Sequence, residues 1–462
     1  MEFNNRIVVL GFGSIGSGLI PLLHQNFKNP NIVVITSDER NLEVSKKYNI
    51  AHKLATITEE NYVEILSENL SSGDFLVNLT VDVDSLDLIN WCRQNNVLYI
   101  DTVIEPWAGY YIDSEIPVSQ RTNYFLRHKV LDSREHHILP GPTAVIAHGA
   151  NPGLVNHFVK QALIKIAEKN EISANPKTRE EWIRLAKDLD IKVIHIAERD
   201  TQRSSKPKMR GEFVNTWSVD GFIAEGSQPA ELGWGTHEKK LPEDGRTHQV
   251  GCKSAIYINQ PGLATRVRSW TPDEGPMHAW IITHNESISI ADYFTGTVDN
   301  KLYRPTVHYA YHPCDAAVSS MHEISGKNYN PQKNSRIITD DIVDGVDELG
   351  VLLMGNSKGS FWYGSNLSIE QAREIAEHNN ATSMQVVAPV VAGMIWAIEN
   401  PNCGIVEADE LPHDYIVNIC RPYLGKMVGS WTDWTPLENR NVLFEEDIDS
   451  NDPWQFKNFR VS

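Results

Sequence analysis

The tightest constraint on this chain lies in its first forty residues. Arg6 to Leu10 (RIVVL) reads as a short buried strand, and Gly11-Phe12-Gly13-Ser14-Ile15-Gly16 follows it. Ile15 to Phe27 then carries apolar residues at helical spacing. Asn31 to Thr36 (NIVVIT) is a second strand, and Asp38 stands just past it, about twenty residues beyond the glycines. A glycine triplet alone says little, but a strand, this loop, a helix and an acid after the next strand make a dinucleotide site. Gly11 permits the turn, Gly13 lets backbone approach a pyrophosphate at the helix N-terminus, and Gly16 permits close helix–strand packing. Ser14 and Ile15 open that helix. Asp38 accepts from a ribose 2′-hydroxyl and so favours NAD, while Arg40 keeps a 2′-phosphate open.

Strand and helix continue to alternate: Glu39 to Tyr48, Asn61 to Asn69 and Ser85 to Asn95 as helices, with Asp74 to Leu79 and Val97 to Asp101 as strands. This predicts a parallel sheet covered on both faces. Ligands bind beyond the carboxyl ends of such strands. There the sequence places Thr80, Asp82, Thr102 and Glu105, so both acids either border a nicotinamide or cap the following helices.

A second pattern begins near Gly149. Pro152 to Lys169 and Arg179 to Leu189 read as helices. From Glu212 to Tyr311 short alternating runs predict a mostly antiparallel sheet, including EFVNTWSV and HAWIITHNESISIADYF. Gly350 to Tyr363 resembles a hairpin, and Ser368 to Asn379 and Met384 to Glu399 are helices that could return to the first domain. The expected fold is α/β: a Rossmann-type dinucleotide-binding domain, residues 1–149 completed by about 380–440, with an inserted α+β substrate domain, 150–379. The acidic, aromatic tail, 441–462, is expected to be a docked arm. Asn151, before Pro152, either caps a helix or meets a ligand between the domains.

Of 462 residues, 42 are Lys or Arg and 60 Asp or Glu, a formal charge of −18. Such a chain repels phosphate backbones and anionic lipid, so neither nucleic acid nor membrane is an expected partner. The longest apolar run, Val386 to Ile398, is too short to span a bilayer and contains Pro389 and Gly393. No signal-peptide pattern opens the sequence. Five cysteines without a CxxC pair argue against disulfides and zinc and for a reduced, cytoplasmic setting. No HExxH is present, so no metal site is expected.

GFGSIGSG near the start, DTVIEPW (101–107), HGANPGLVNHF (148–158), HIAERDTQ (195–202), NTWSVDGFIAEG (215–226) and ITHNESISIADYF (282–294) together resemble the bacterial-type homospermidine synthases of the saccharopine dehydrogenase-like group. The resemblance covers nearly the whole chain, and the TWSVDGF…EG and THNES segments are its most specific parts. It implies that tightly held NAD oxidises putrescine to an imine, a second putrescine displaces ammonia, and the same cofactor reduces the resulting Schiff base to homospermidine. A homodimer is an accompanying expectation. The family's amine positions fall on Glu105, Glu198 and Glu225, with Trp217 as a cation–π platform. In an unbroken strand Trp217 and Glu225 would share a face. His284 is a candidate for proton transfer because its ordinary pKa lies near neutrality, and Glu198 is the alternative base. Asp347, in GVDELG, joins them as a substrate-facing residue or sits in a solvated turn. Related enzymes bind amino acids through arginine; Arg199, Arg203, Arg210, Arg266 and Arg268 keep open a net dehydrogenase of the saccharopine or carboxynorspermidine type. A non-catalytic NAD-binding protein is the third reading.

Overall fold

A computed structural model describes residues 1–37, 39–137 and 139–461. Seven parallel strands form the first sheet, in the order Ile405–Glu407, Ala144–Ile146, Leu98–Asp101, Phe75–Asn78, Arg6–Leu10, Asn31–Thr36, Ala51–Leu54. From its second strand to its last this is the doubly wound order, with the reversal beside the glycine loop. Val8 to Leu10 and Phe75 to Val77 are buried on both faces, as a sheet covered by helices requires. The helix Ser14–Asn26 starts one residue earlier than the periodicity suggests. The edge strand Ala51–Leu54, the helix Asn123–Glu135 and the strand Ala144–Ile146 were not foreseen, and the expected helix at 39–48 shrinks to Leu42–Lys47.

The second sheet has ten strands. At its centre Val193–Asp200 pairs in parallel with Thr306–His312 and antiparallel with Val346–Met354, which turns back into Ser360–Ser368 as a hairpin. The other pairings in this sheet are antiparallel. The inserted domain thus carries a mostly antiparallel sheet with one parallel junction.

Two expected strands are helices. Chain after Asn215 leaves its strand, and Ser218 caps the helix Val219–Ser227 by accepting from the Gly221 amide at 3.1 Å. Glu286–Tyr293 is likewise a helix. The helix expected from Pro152 begins at Leu154, and Asn151 does not cap it: the Asn156 side chain accepts from the Gly153 amide at 3.0 Å.

The chain returns to its first domain through the 19-residue helix Ala381–Glu399, which packs on Ser14–Asn26, and through the strand Ile405–Glu407. That helix is long and apolar enough to cross a membrane, but 78% of its apolar window is buried in the fold. The return is shorter than expected, because Lys426–Thr432 joins the larger sheet. In the C-terminal segment Phe456 and Phe459 are buried against His308, and the Arg460 guanidinium grips Asp244 with two 2.6 Å bonds.

Candidate active site

Strand alternation decides which acids meet. On Val193–Asp200, Glu198 and Asp200 face the first domain, and Arg199 faces the other way. Arg199 is spent there on Glu274 and Asp315. Asp347 stands opposite Asp200 in the neighbouring strand, and Tyr311 beside Glu198 in the other. Asp347 is therefore no solvated turn residue; it is fully buried in a strand, with Oδ2 accepting from Thr382 at 2.5 Å and Oδ1 unpartnered. Burial, then the Glu198 and Asp200 carboxylates, push its pKa well up.

Glu198 accepts from the Tyr309 hydroxyl at 2.5 Å and from Asn151 Nδ2 at 3.1 Å, both on Oε2. Its pKa is pushed up to about 8, chiefly by burial. The Tyr309 ring lies 4.6 Å from the His284 imidazole. His284, in the turn before the helix Glu286–Tyr293, has Nε2 2.9 Å from Glu225 and Nδ1 3.4 Å from Glu286. Burial alone would depress its pKa, but Glu225 and Glu286 outweigh that and hold it well above the ordinary value. The expectation of a near-neutral histidine gives way to an imidazolium clasped by two carboxylates.

Glu225 rides on the helix Val219–Ser227, so its relation to Trp217 is not that of residues on one strand. Trp217 precedes that helix, and its indole N–H points to the Tyr311 hydroxyl at 3.3 Å. Glu105 is buried, and burial followed by the Glu225 and Asp82 carboxylates raises its pKa far above the usual range. Asp82 is exposed, with backbone in the left-handed region (φ 62°). Neither acid caps a helix: Asp84 caps Ser85–Asn95.

This cluster adjoins the carboxyl edge of the parallel sheet. A Cβ placed on Gly149 would touch Thr102 at 3.3 Å, and one on Gly11 would come within 3.3 Å of Thr80. Gly11 has φ +87°, and a Cβ on Gly16 would stand 2.3 Å from the Gly11 carbonyl, so the turn itself needs both. Gly13 differs: a Cβ there would meet nothing within 4 Å. The helix beginning at Ser14 has no side-chain cap. Open space over Gly13 before uncapped amides fits a pyrophosphate. Ile15 lies in this first turn, and the Ser14 carbonyl accepts from Asn379 Nδ2 at 3.1 Å. Asp38 lies outside the described residues.

Four residues of this cluster carry no signal in the sequence: Asp200, Glu286, Tyr309 and Tyr311. Tyr309 and Tyr311 alternate on one strand face in PTVHYAYHP, a pattern read only as sheet. Glu286 stands two residues from His284, in a segment whose alternation predicts a strand and which folds as a helix.

The family described as Saccharopine dehydrogenase NADP binding domain matches residues 7–145, and Saccharopine dehydrogenase C-terminal domain matches 149–432. A homospermidine synthase of Blastochloris viridis is 51% identical over all of this chain and 98% of that protein. The crystal structure of the homospermidine synthase from Legionella pneumophila in complex with NAD superposes with a TM-score of 0.93 at 48% identity, covering 100% of this chain and 99% of that one. Apo saccharopine dehydrogenase (L-Glu forming) from Saccharomyces cerevisiae shares the fold alone, with a TM-score of 0.51 at 11% identity over 93% of this chain and 100% of that one.

Proposed function

The chain belongs to the homospermidine synthases of the saccharopine dehydrogenase-like family, and on that footing we propose that its buried acidic cluster joins two putrescine molecules into homospermidine with release of one ammonia. The cofactor is NAD, which Gly11, Gly13, Ser14, Ile15 and Gly16 would cradle, with Thr80 and Thr102 beside the nicotinamide end. Bound there, NAD supplies a two-electron acceptor that is regenerated within each cycle.

The observation that carries the reading is charge. Glu105, Glu198, Glu225, Glu286, Asp200 and Asp347 interact with one another across the cluster, and the positive charges that act on these six acids are fewer: His284 between Glu225 and Glu286, and Arg199 on Asp200 from the far side of the strand. Buried acids without matching cations are costly unless a cationic ligand completes them. A diamine is such a ligand, and an amino-acid carboxylate is not. Arg199, Arg203 and Arg268 are tied to Glu274, Asp344 and Glu446, while Arg210 and Arg266 are exposed.

Glu198 takes the proton from the reacting ammonium; a bound dication lowers its pKa from about 8 and so makes it the base. The Glu225–His284–Glu286 trio works in the opposite sense, with the imidazolium giving a proton to departing ammonia. Trp217 holds an ammonium over its indole face, worth roughly 0.5–2 kcal/mol. Asn151 orients Glu198 through its amide. Glu105, Asp82 and Asp347 set the negative potential along which the chain of the diamine lies. The protein works as a cytoplasmic homodimer.

Mass analysis of products from putrescine with catalytic NAD tests this. Homospermidine and ammonia should appear one to one without accumulation of NADH. NADH rising in proportion to putrescine would instead mean a net dehydrogenase.

A further inference from the structure

The strand Thr306–His312 sets two phenols next to Glu198. The rings of Tyr309 and Tyr311 stack at 5.1 Å with 11° between planes, and both are buried. Tyr309 reaches two ways: its hydroxyl donates to Glu198 Oε2 at 2.5 Å, and its ring lies on His284 at 4.6 Å. The proposed base and the proposed acid therefore share one neighbour.

We propose that Tyr309 is a positioning residue that holds the Glu198 carboxylate in its reactive orientation and sets the pH at which that carboxylate becomes a base. The inference rests on the assignment of Glu198 as proton acceptor. A phenol O–H donated to a carboxylate favours the ionised form. Around Glu198, Asp200 on its own strand, Asp347 on the next strand and Glu286 at the helix start oppose ionisation. Tyr309, Asn151 and His284 favour it, and Tyr311 packs alongside. Asn151 is half-buried and donates through a longer 3.1 Å bond, so the phenol is the stronger of the two neutral donors. Its removal leaves three acids facing Glu198 with less to offset them.

Tyr309→Phe removes the hydroxyl and keeps the ring that packs on His284 and Tyr311. The measurement is an infrared titration of the Glu198 carboxylic-acid band in the NAD-bound protein, assigned by its loss in Glu198→Gln. It is paired with the pH profile of kcat/KM for putrescine. In Tyr309→Phe the band midpoint and the ascending limb should both move to higher pH by about one unit, with thermal unfolding and NAD affinity kept. A midpoint that stays put overturns the proposal, as does a shifted midpoint with an unmoved limb. A band that shifts in Tyr309→Phe while wild-type protein makes no homospermidine overturns the functional reading and leaves the Tyr309–Glu198 link standing.

Discussion

His284 Nε2 lies 2.9 Å from Glu225 Oε2, although 59 residues separate the two in sequence. The contact joins a turn and a helix that both stood in the sequence as strands, and it fixes the protonation state of the imidazole. Glu286 closes the other side.

Removing one of these carboxylates should lower the histidine pKa. In Glu286→Gln the ring titration of His284, followed by NMR, should move down by about one unit or more, since an opposite charge at this range is worth that much. The descending limb of the pH–rate profile should move the same way. An unchanged titration would mean that Glu225 alone holds the imidazolium.

Trp217→Ala should raise the KM for putrescine roughly 2- to 30-fold, the range of a cation–π contact, and Trp217→Phe less. Equilibrium binding of NAD should stay the same in both. Parallel loss of NAD affinity would identify Trp217 as packing.

The glycine loop offers a contrast between shape and ligand. Gly13→Ala adds a methyl group into open space, so the melting temperature of the cofactor-free protein should hold while NAD affinity falls at least tenfold. Gly16→Ala drives a methyl group into the Gly11 carbonyl and should lower the melting temperature itself. Calorimetry with and without NAD separates the two.

Stability should depend on pH and on amine together. Glu198 near pKa 8, and Asp101 and Glu231 near 7, are raised above their ordinary values of 4.5, 3.8 and 4.5. Their neutral forms favour the fold, an advantage complete below the ordinary values and lost as pH rises through 7 to 8. His148 and His248, lowered to about 4, act on the acid side, where stability falls as pH drops below 6.5. Below pH 6.5 the two histidines offset part of the acids' effect, so the melting temperature should fall most steeply between about pH 6.5 and 8. Putrescine should recover much of the alkaline loss, because a bound cation lets Glu198 ionise in place; scanning fluorimetry across pH would register a flat putrescine effect if it does not.

Much of the nucleotide site was legible because its signal is local: a turn that only Gly11 and Gly16 allow can be read from six residues. The acid cluster was legible only as residue types. Whether Asp347 is solvated depends on its pairing with Val193–Asp200, a partner about 150 residues away. Trp217 and Glu225 would share a face only in an unbroken strand, and a local signal breaks it: Ser218, three residues before Gly221, caps a helix there. At the start of the helix that begins at Leu154 the cap comes from inside, from Asn156, and not from Asn151 before the proline. Tyr309 could not be found this way, since both its partners are distant in sequence.

The helix Ala381–Glu399 lies against Ser14–Asn26, with the whole amine-handling region strung between them. During synthesis the two do not meet until nearly the whole chain has left the ribosome. The apolar side of the nucleotide-cradling helix must wait for that late partner, and the larger sheet waits longer still for its edge strand Lys426–Thr432. A fragment stopped ahead of Ala381 would expose that side to water and to chaperones, and the two halves of the chemistry become competent together.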